Sequence, residues 1–186
     1  MVRIIDLIKQ HESYRVKCIN LIPSENIMSI TARRALMSDL AHRYHHKDFY
    51  GGQKYIQEII EETRELLSRL FNAKYAFPEP LSGNISLLSA IIALSDPGDK
   101  IAIISPEDGG YPINLHPIHR RPIYIPYDKE IANIDVERSI EFIRREKPKI
   151  IILGASFILF PQPVKALSDV VKEIGAIMIY DASHVL

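Results

Sequence analysis

The sequence predicts an α/β protein with a mostly parallel sheet and a helical arm at its N-terminus. From about residue 71 onward, short apolar runs alternate with amphipathic segments. This strand–helix–strand order is typical of a parallel sheet with crossover helices. The run "KIIILG" is continuously apolar after its lysine, as expected of a strand covered on both faces. Residues 1–52 carry little of this pattern, so we expect them to form the helical arm and an interface loop, followed by a sheet domain over 53–186.

Each element follows from a local pattern. Helices are expected over residues 1–18, 29–40 and 54–71, the last from isoleucines and leucines at i, i+3, i+4 and i+7 spacing. The turn "LSGN" opens a further helix, which the turn signal "SDPGD" closes. The predicted strands are "KIAIIS", "RPIYIPYD", "KIIILGAS" and "AIMIYDAS". The later helices are "DVERSIEFIRREK" and "VKALSDVVKEIG", and "PEDGGYPINLH" is a loop or a short helix.

The composition excludes several functional classes. Lys+Arg and Asp+Glu both number 23, and this balance argues against a protein that binds nucleic acid mainly through phosphate contacts. The single cysteine, Cys18, excludes an intrachain disulfide framework and a cysteine-based zinc site. No apolar run is long enough to span a bilayer, and the N-terminus becomes charged too early for a signal peptide. We therefore expect a cytoplasmic protein.

Small and polar residues stand at four places where a strand or turn gives way to the next element. In parallel sheets, ligands bind beyond the carboxyl ends of the strands. The convergence of these segments therefore predicts one site built from several loops. The segments are "SGN" at 82–84, "EDGGY" at 107–111, "GAS" at 154–156 and "DASH" at 181–184.

The turn Ser82-Gly83-Asn84 precedes a predicted helix. A small-residue turn at a helix N-terminus exposes free N–H groups and the positive end of the dipole, which suits a phosphate. An ordinary N-cap explains the same three residues, and both interpretations stay open. Neither G-x-G-x-x-G nor G-x-x-x-x-G-K-[ST] occurs, so a dinucleotide or a nucleoside triphosphate is not the favoured ligand.

Asp181 follows an apolar strand, where a carboxylate is costly unless it has a cationic or hydrogen-bonding partner. One interpretation is an N-cap for the element that follows. The other is a counter-ion for a protonated ring nitrogen, as pyridoxal phosphate requires. His184 could reach the same pocket, or it could be a satisfied interior histidine.

The loop "HRYHHKDFYGG" invites a metal interpretation because of its histidines, His42, His45 and His46. No carboxylate or cysteine at the usual ligand spacing completes a set, so we expect a solvated loop and no metal. Its aromatic residues are expected to form an aromatic wall or an interface. They are Tyr44, Phe49 and Tyr50.

Several motifs, in their order and approximate spacing, resemble the serine hydroxymethyltransferases, which are fold-type-I pyridoxal-phosphate enzymes. The likeness runs from about residue 12 to the last residue, and "LGASFILFPQP" resembles the archaeal branch in particular. The resemblance implies the N-terminal half of such an enzyme, ending within its large cofactor-binding domain. The motifs are "LIPSEN", "YGGQKYIQEIIEE", "LFNAKYA", "PLSGN", "LSDPGDK", "GGY", "KPKIIILGAS" and "GAIMIYDASHV".

The resemblance implies a cofactor site for pyridoxal 5'-phosphate. Its phosphate would be held by Ser82, Gly83 and Asn84. Tyr111 would stack on the pyridine ring, where the family often has histidine. Ser156 would hydrogen-bond near the phenolic oxygen of the cofactor.

Further roles follow from the same resemblance. Asp181 would pair with the pyridine nitrogen, and His184 would lie at the reactive side as a cofactor-binding and catalytic residue. Ser24 would face the carboxylate of the amino-acid substrate. Tyr44 and Tyr50 would reach into the substrate site of a neighbouring subunit in a homodimer, and Tyr50 and Ser24 count among the catalytic candidates.

Two departures from the family pattern bear on activity. The loop "YHHKDFYGG" lacks the glutamate that the family uses in proton transfer, and His46 or Asp48 is the candidate substitute. The Schiff-base lysine lies downstream of "DASHV" in the family, beyond this sequence. We therefore expect the 186 residues alone to be inactive and a missing C-terminal half or a complementing chain to complete the site.

The expected function is the interconversion of serine and glycine with a folate or pterin one-carbon carrier, a transferase reaction of amino-acid and one-carbon metabolism. The missing glutamate favours one alternative, a threonine-type aldolase or another fold-type-I reaction. A truncated, non-catalytic domain is the other alternative.

Overall fold

The computed structural model of the chain describes residues 2–22, 25–46 and 49–185. The chain divides into two compact units, Met1–Arg43 and Tyr44–Leu186. The sheet and every strand found among the described residues lie in the second unit. Its parallel architecture confirms the predicted fold class.

The first unit is helical. Helix α1 spans Val2–Arg15 and helix α2 spans Ile30–Leu36. The Ser29 hydroxyl caps α2 by accepting from the Ala32 N–H at 3.1 Å. The predicted helix over 29–40 ends early because the Ser38 hydroxyl bonds the Ala35 carbonyl at 2.7 Å, and a 3₁₀ turn follows.

The described residues of the second unit form four further α-helices and six strands. Helix α3 confirms the predicted helix over 54–71 and, at 15 residues, is the longest of the described helices. No helix among the described residues is both long enough and apolar enough to cross a membrane. The elements are α3 Ile56–Leu70, α4 Gly83–Leu94, β1 Lys100–Ile103, β2 Arg121–Tyr124, β3 Tyr127–Asp128, β4 Asn133–Ile134, α5 Val136–Glu146, β5 Ile150–Leu153, α6 Val164–Glu173 and β6 Ile177–Tyr180.

Four strands form one parallel sheet in the order β2-β1-β5-β6. Successive side chains of a strand point to opposite faces, so each strand contributes to two cores. On one face, Ala102, Ile151 and Leu153 pack with buried residues of α5 and α6. On the other, Ile101 and Ile150 pack with buried residues of α4. Burial on both faces explains the continuous apolar run of β5.

The predicted strand "RPIYIPYD" divides into two strands that pair differently. Its first four residues form β2 at the edge of the sheet. Pro122 is tolerated there because the outer side of an edge strand has no neighbour that would require a backbone N–H donor. Pro126 has no N–H to continue the ladder, and its carbonyl accepts from the Asp135 N–H at 3.1 Å instead. The chain after it pairs with β4 as a short antiparallel hairpin. The prediction of one strand was wrong for this second half.

A buried arginine closes the C-terminal end of α4. Arg120 is 8% exposed, and its guanidinium donates to the Ser95 hydroxyl at 3.0 Å, the Ser95 carbonyl at 2.5 Å and the Ile118 carbonyl at 2.6 Å. Ser95 is the C-cap of α4. A cation at this position satisfies carbonyls that the helix leaves open and interacts favourably with its negative end. Arg120 therefore ties the end of α4 to the turn before β2.

Replacing Arg120 with Met should lower the free energy of unfolding by about 2 to 3 kcal/mol, because buried acceptors would lose charge-assisted hydrogen bonds. The neighbouring Arg121 is exposed, and Arg121→Met should change stability by no more than about 0.5 kcal/mol. Urea denaturation of both variants measures the difference. Equal midpoints for the two would contradict the capping role.

Candidate functional site

The strand order places a crevice at the carboxyl end of the sheet. From β1 the chain continues to β2 on one side, and β5 lies on the other side of β1. The connections that leave two such strands run to opposite sides, and this switch point is where open parallel sheets bind ligands. One hydrogen bond nevertheless joins the loop after β5 to the loop after β1, because the Ser156 N–H donates to the Gly109 carbonyl at 2.8 Å.

A cavity of about 180 Å³ lies at this edge. Each of the four segments that were expected to converge supplies at least one residue to the lining of this cavity. A second cavity of about 260 Å³ shares Gly83, Asp181 and Ser183 with the first. The residues lining the first cavity are Gly83, Asn84, Tyr111, Ala155, Ser156, Asp181, Ser183 and His184.

The N-terminus of α4 forms one wall. The Ser82 hydroxyl accepts from the Ile85 N–H at 3.2 Å, so this side chain acts as the N-cap. The N–H groups of Gly83 and Asn84 belong to the first turn, before the intrahelical ladder begins. The Tyr111 hydroxyl donates to Asn84 Oδ1 at 3.3 Å, which leaves the amide nitrogen of Asn84 as a donor for a ligand.

Asp181 forms the opposite side of the cavity and is half-buried. Its N–H donates to the Leu153 carbonyl at 2.7 Å and so prolongs the pairing of β6 with β5. Its Oδ1 accepts from the Ser183 N–H at 3.1 Å and from the Ser183 hydroxyl at 2.5 Å. One carboxylate oxygen thus makes the local turn that the capping interpretation expects. Within the described residues, Oδ2 has no hydrogen bond and remains an acceptor at the cavity.

Two glycines allow the loops to approach this closely. Gly154 has φ +131°, and a Cβ there would lie 2.5 Å from the Asp181 carbonyl oxygen and 2.6 Å from its Cβ. A Cβ on Gly110 would lie 2.1 Å from the Ile104 carbonyl oxygen. Real Cβ atoms do not approach other atoms so closely, so both positions require glycine. Neither glycine was expected to have a role: Gly110 lies in the loop after the predicted strand "KIAIIS", and Gly154 lies near the end of the predicted strand "KIIILGAS".

Two tyrosine candidates, Tyr44 and Tyr50, are not among the residues that line the cavity. Tyr44 and Tyr50 lie 5.4 Å apart by ring centroids and are 74% and 42% exposed, beside Phe49. The Gln53 side chain accepts from the His46 N–H at 2.8 Å and donates to the His46 carbonyl, which shapes the start of this loop. Ser24 and Asp48 lie outside the described residues.

His184 lines the cavity and is exposed. No group of three or more His, Cys, Asp or Glu side chains that could hold a metal ion is found in the part of the chain that the structure describes. Ser183 and Ala155 also line the cavity and were not among the expected site residues. Their signal in the sequence was their place within the segments "DASH" and "GAS".

The chain is an α/β protein with a parallel sheet covered on both faces and a small crevice at the carboxyl edge, where proteins of this class bind their ligands. The family model described as serine hydroxymethyltransferase matches residues 2–186, so the chain belongs to that family.

Several similar proteins come from archaea. The chain is 40% identical to a serine hydroxymethyltransferase of Methanosphaera stadtmanae over 99% of its own length and 46% of that protein. It is 40% identical to a serine hydroxymethyltransferase of Methanobrevibacter smithii, over 97% and 45% respectively. It is 37% identical to a serine hydroxymethyltransferase of Pyrococcus abyssi, over 99% of its own length and 45% of that protein. The chain therefore spans about half the length of these relatives.

Replacing Gly154 with Ala should destabilise the protein by about 3 kcal/mol or more, because it adds a steric clash with Asp181 to an unfavourable φ. Gly175 also has a positive φ, +70°, but a Cβ there would meet nothing within 4 Å. Gly175→Ala is therefore the matched control and should cost about 1 kcal/mol. Chemical denaturation and the amide NMR shifts of residues 181–184 measure both effects. If the two variants are alike in both measurements, the close approach at Gly154 does not hold the cavity in shape.

Proposed function

We propose that this chain forms the cofactor-binding part of a serine hydroxymethyltransferase, an enzyme that interconverts serine and glycine with a folate or pterin one-carbon carrier. The proposal rests on the observation that one and the same cavity is lined by Gly83, Asn84, Tyr111, Ser156 and Asp181. Membership of the family supports the same assignment. The cofactor is proposed to be pyridoxal 5'-phosphate.

The donor set of the cavity fits this cofactor. The group has an anionic phosphate at one end and a ring nitrogen that can carry a proton at the other. The first turn of α4, at Gly83 and Asn84, offers N–H donors and the positive end of a helix to the phosphate. Asp181 offers a carboxylate oxygen to the protonated nitrogen. The negative end of the ligand thus faces the positive end of α4, and its positive end faces the Asp181 carboxylate.

When bound, pyridoxal 5'-phosphate supplies an electron sink for negative charge that develops at the α-carbon of the amino acid. The residues of this chain bind and orient it. Asp181 would hold a proton at the ring nitrogen, and Tyr111 would pack its ring against the pyridine. Ser156 would donate or accept a hydrogen bond near the phenolic oxygen. His184 would serve the reactive side, and Ser24 would receive the substrate carboxylate.

A second candidate is a threonine-type aldolase or another fold-type-I reaction. The observation favouring it is the loop "HRYHHKDFYGG", which contains no glutamate. A reaction that needs no such proton carrier tolerates this loop. A serine hydroxymethyltransferase with this loop would need another residue in place of the glutamate. The proposed substitute is His46, whose backbone is hydrogen-bonded by Gln53, or Asp48.

The partners of the chain follow from the same proposal. Since the chain spans about half the length of its relatives, further residues of the site are proposed to come from outside these 186 residues. These are proposed to include the lysine that binds the cofactor covalently. Tyr44 and Tyr50, exposed and away from the cavity of their own chain, are proposed to reach the substrate site of a second copy.

The activity can be tested in a chimera that joins residues 1–186 to the part of the Methanosphaera stadtmanae relative that the match leaves out. The chimera should interconvert serine and glycine. Asp181→Asn should lower its kcat by about a thousandfold, because a neutral amide does not hold the proton at the ring nitrogen, and a loss of about 4 kcal/mol corresponds to that factor. Steady-state kinetics and the visible cofactor band measure the change.

Asp169 on the exposed side of α6 provides the matched control, and Asp169→Asn should leave kcat unchanged. Folding should survive Asp181→Asn, because an amide oxygen can still accept from Ser183. Asp181→Ala should cost about 1 kcal/mol of stability as well, since the turn loses its acceptor. Wild-type turnover in Asp181→Asn would refute the cofactor role. A folded, cofactor-loaded chimera that cleaves threonine but does not convert serine would favour the aldolase.

The chain should self-associate through its N-terminal arm, because α1 exposes Ile4, Ile5, Leu7 and Ile8. Light scattering should give the mass of two chains. The double variant Ile4→Glu with Ile8→Glu should shift it towards one. Gln10→Glu, an exposed polar position on the same helix, should not. A wild-type mass of one chain at tens of micromolar would count against this interface.

A further inference from the structure

Ser183 is a polar residue of the cavity to which the proposed function gives no role. It lies in the turn after β6 and lines both cavities at the carboxyl edge. Its N–H and its hydroxyl both donate to the same atom, Asp181 Oδ1, at 3.1 and 2.5 Å. Its hydroxyl also lies 3.8 Å from the place a Cβ of Gly83 would occupy, next to the N-terminus of α4.

Two donors on one carboxylate oxygen do more than stabilise a turn. Rotation about the Cβ–Cγ bond of aspartate is broad, so a carboxylate with one donor samples many orientations. The backbone N–H alone is enough to close the turn, as in any Asx-turn. The hydroxyl adds a short charge-assisted hydrogen bond to the same oxygen. This second bond fixes which oxygen is occupied and leaves Oδ2 as the acceptor at the cavity.

The backbone of Asp181 is held independently of Ser183. Its N–H donates to the Leu153 carbonyl at 2.7 Å, and Gly154 packs against its carbonyl and Cβ. The main chain at this residue therefore keeps its place without the Ser183 hydroxyl. What the hydroxyl controls is the orientation of the carboxylate alone.

We propose that Ser183 is a positioning residue, whose hydroxyl orients the Asp181 carboxylate so that Oδ2 meets the ring nitrogen of the ligand. The proposal rests on the proposed function, because it takes a protonated ring nitrogen as the group that Asp181 meets. Ser183 itself contacts no reacting atom. It acts through Asp181.

The test measures how well the 186-residue chain recognises the ring nitrogen. The probes are pyridoxamine 5'-phosphate, which has no aldehyde to react with surface lysines, and its analogue with CH in place of the ring nitrogen. Calorimetric titration gives the ratio of the two Kd values. The wild-type chain should bind the nitrogen-containing probe more tightly. Ser183→Ala should reduce that ratio roughly three- to tenfold, which corresponds to the net contribution of one ordinary hydrogen bond.

Three comparisons separate positioning from a structural role. Ser183→Thr keeps the hydroxyl and should restore the ratio. In an Asp181→Asn background, Ser183→Ala should have no further effect on the ratio, because the group through which it acts is gone. Circular dichroism and the melting temperature of Ser183→Ala should stay close to those of the wild type, since Ser183 is exposed.

The outcomes are distinguishable. If the wild-type chain binds the two probes equally, or binds neither at millimolar concentration, the proposed function of Asp181 fails and the positioning role fails with it. If the wild type discriminates and folded Ser183→Ala discriminates equally, only the positioning role fails. Equal weakening of both probes by Ser183→Ala, or no rescue by threonine, also overturns it, because either result means that the hydroxyl does not act through Asp181.

Discussion

Burial of β1 and β5 on both faces is the constraint on which the rest of the structure depends. Ile101 and Ala102 are both fully buried although they point to opposite faces, and the same holds for Ile150 and Ile151. Each large apolar side chain buried in this way contributes about 1.5 to 3 kcal/mol. Polar groups have no place along these strands, so they collect where the strands end. The candidate site lies at that edge for this reason.

The same burial explains which parts of the fold the sequence predicted. Strong apolar periodicity identified α3 and the central strands within a few residues. The division at Pro126 was missed because the pattern of "RPIYIPYD" is uniform, while the missing N–H decides the pairing. The early end of α2 was missed because it depends on a local bond between Ser38 and Ala35. The apolar pattern of a sequence indicates which residues are buried. It does not indicate these two boundaries, because each depends on the presence or absence of a single hydrogen bond.

The candidate site was predictable at the level of segments and less so at the level of contacts. Convergence of four strand ends follows from the topology of parallel sheets, and the structure places Gly83, Tyr111, Ser156 and Asp181 at one cavity. The need for glycine at 154 was not visible, because it arises from the main chain and Cβ of Asp181, just after the neighbouring strand β6. Contacts across strands depend on register, and register is not encoded in local composition.

The two walls of the cavity differ in polarity, and this difference restricts what can bind. The first turn of α4 favours negative charge, and the Asp181 carboxylate favours positive charge. A ligand that is anionic throughout would meet repulsion at Asp181, and a cationic one would be disfavoured at the helix. On the proposed function, the cavity would select a ligand with its charges separated along its length. Because Oδ1 of Asp181 is occupied by Ser183, selection at the cationic end would depend on a single oxygen, Oδ2. The orientation of that one carboxylate would then control how well the two ends are distinguished.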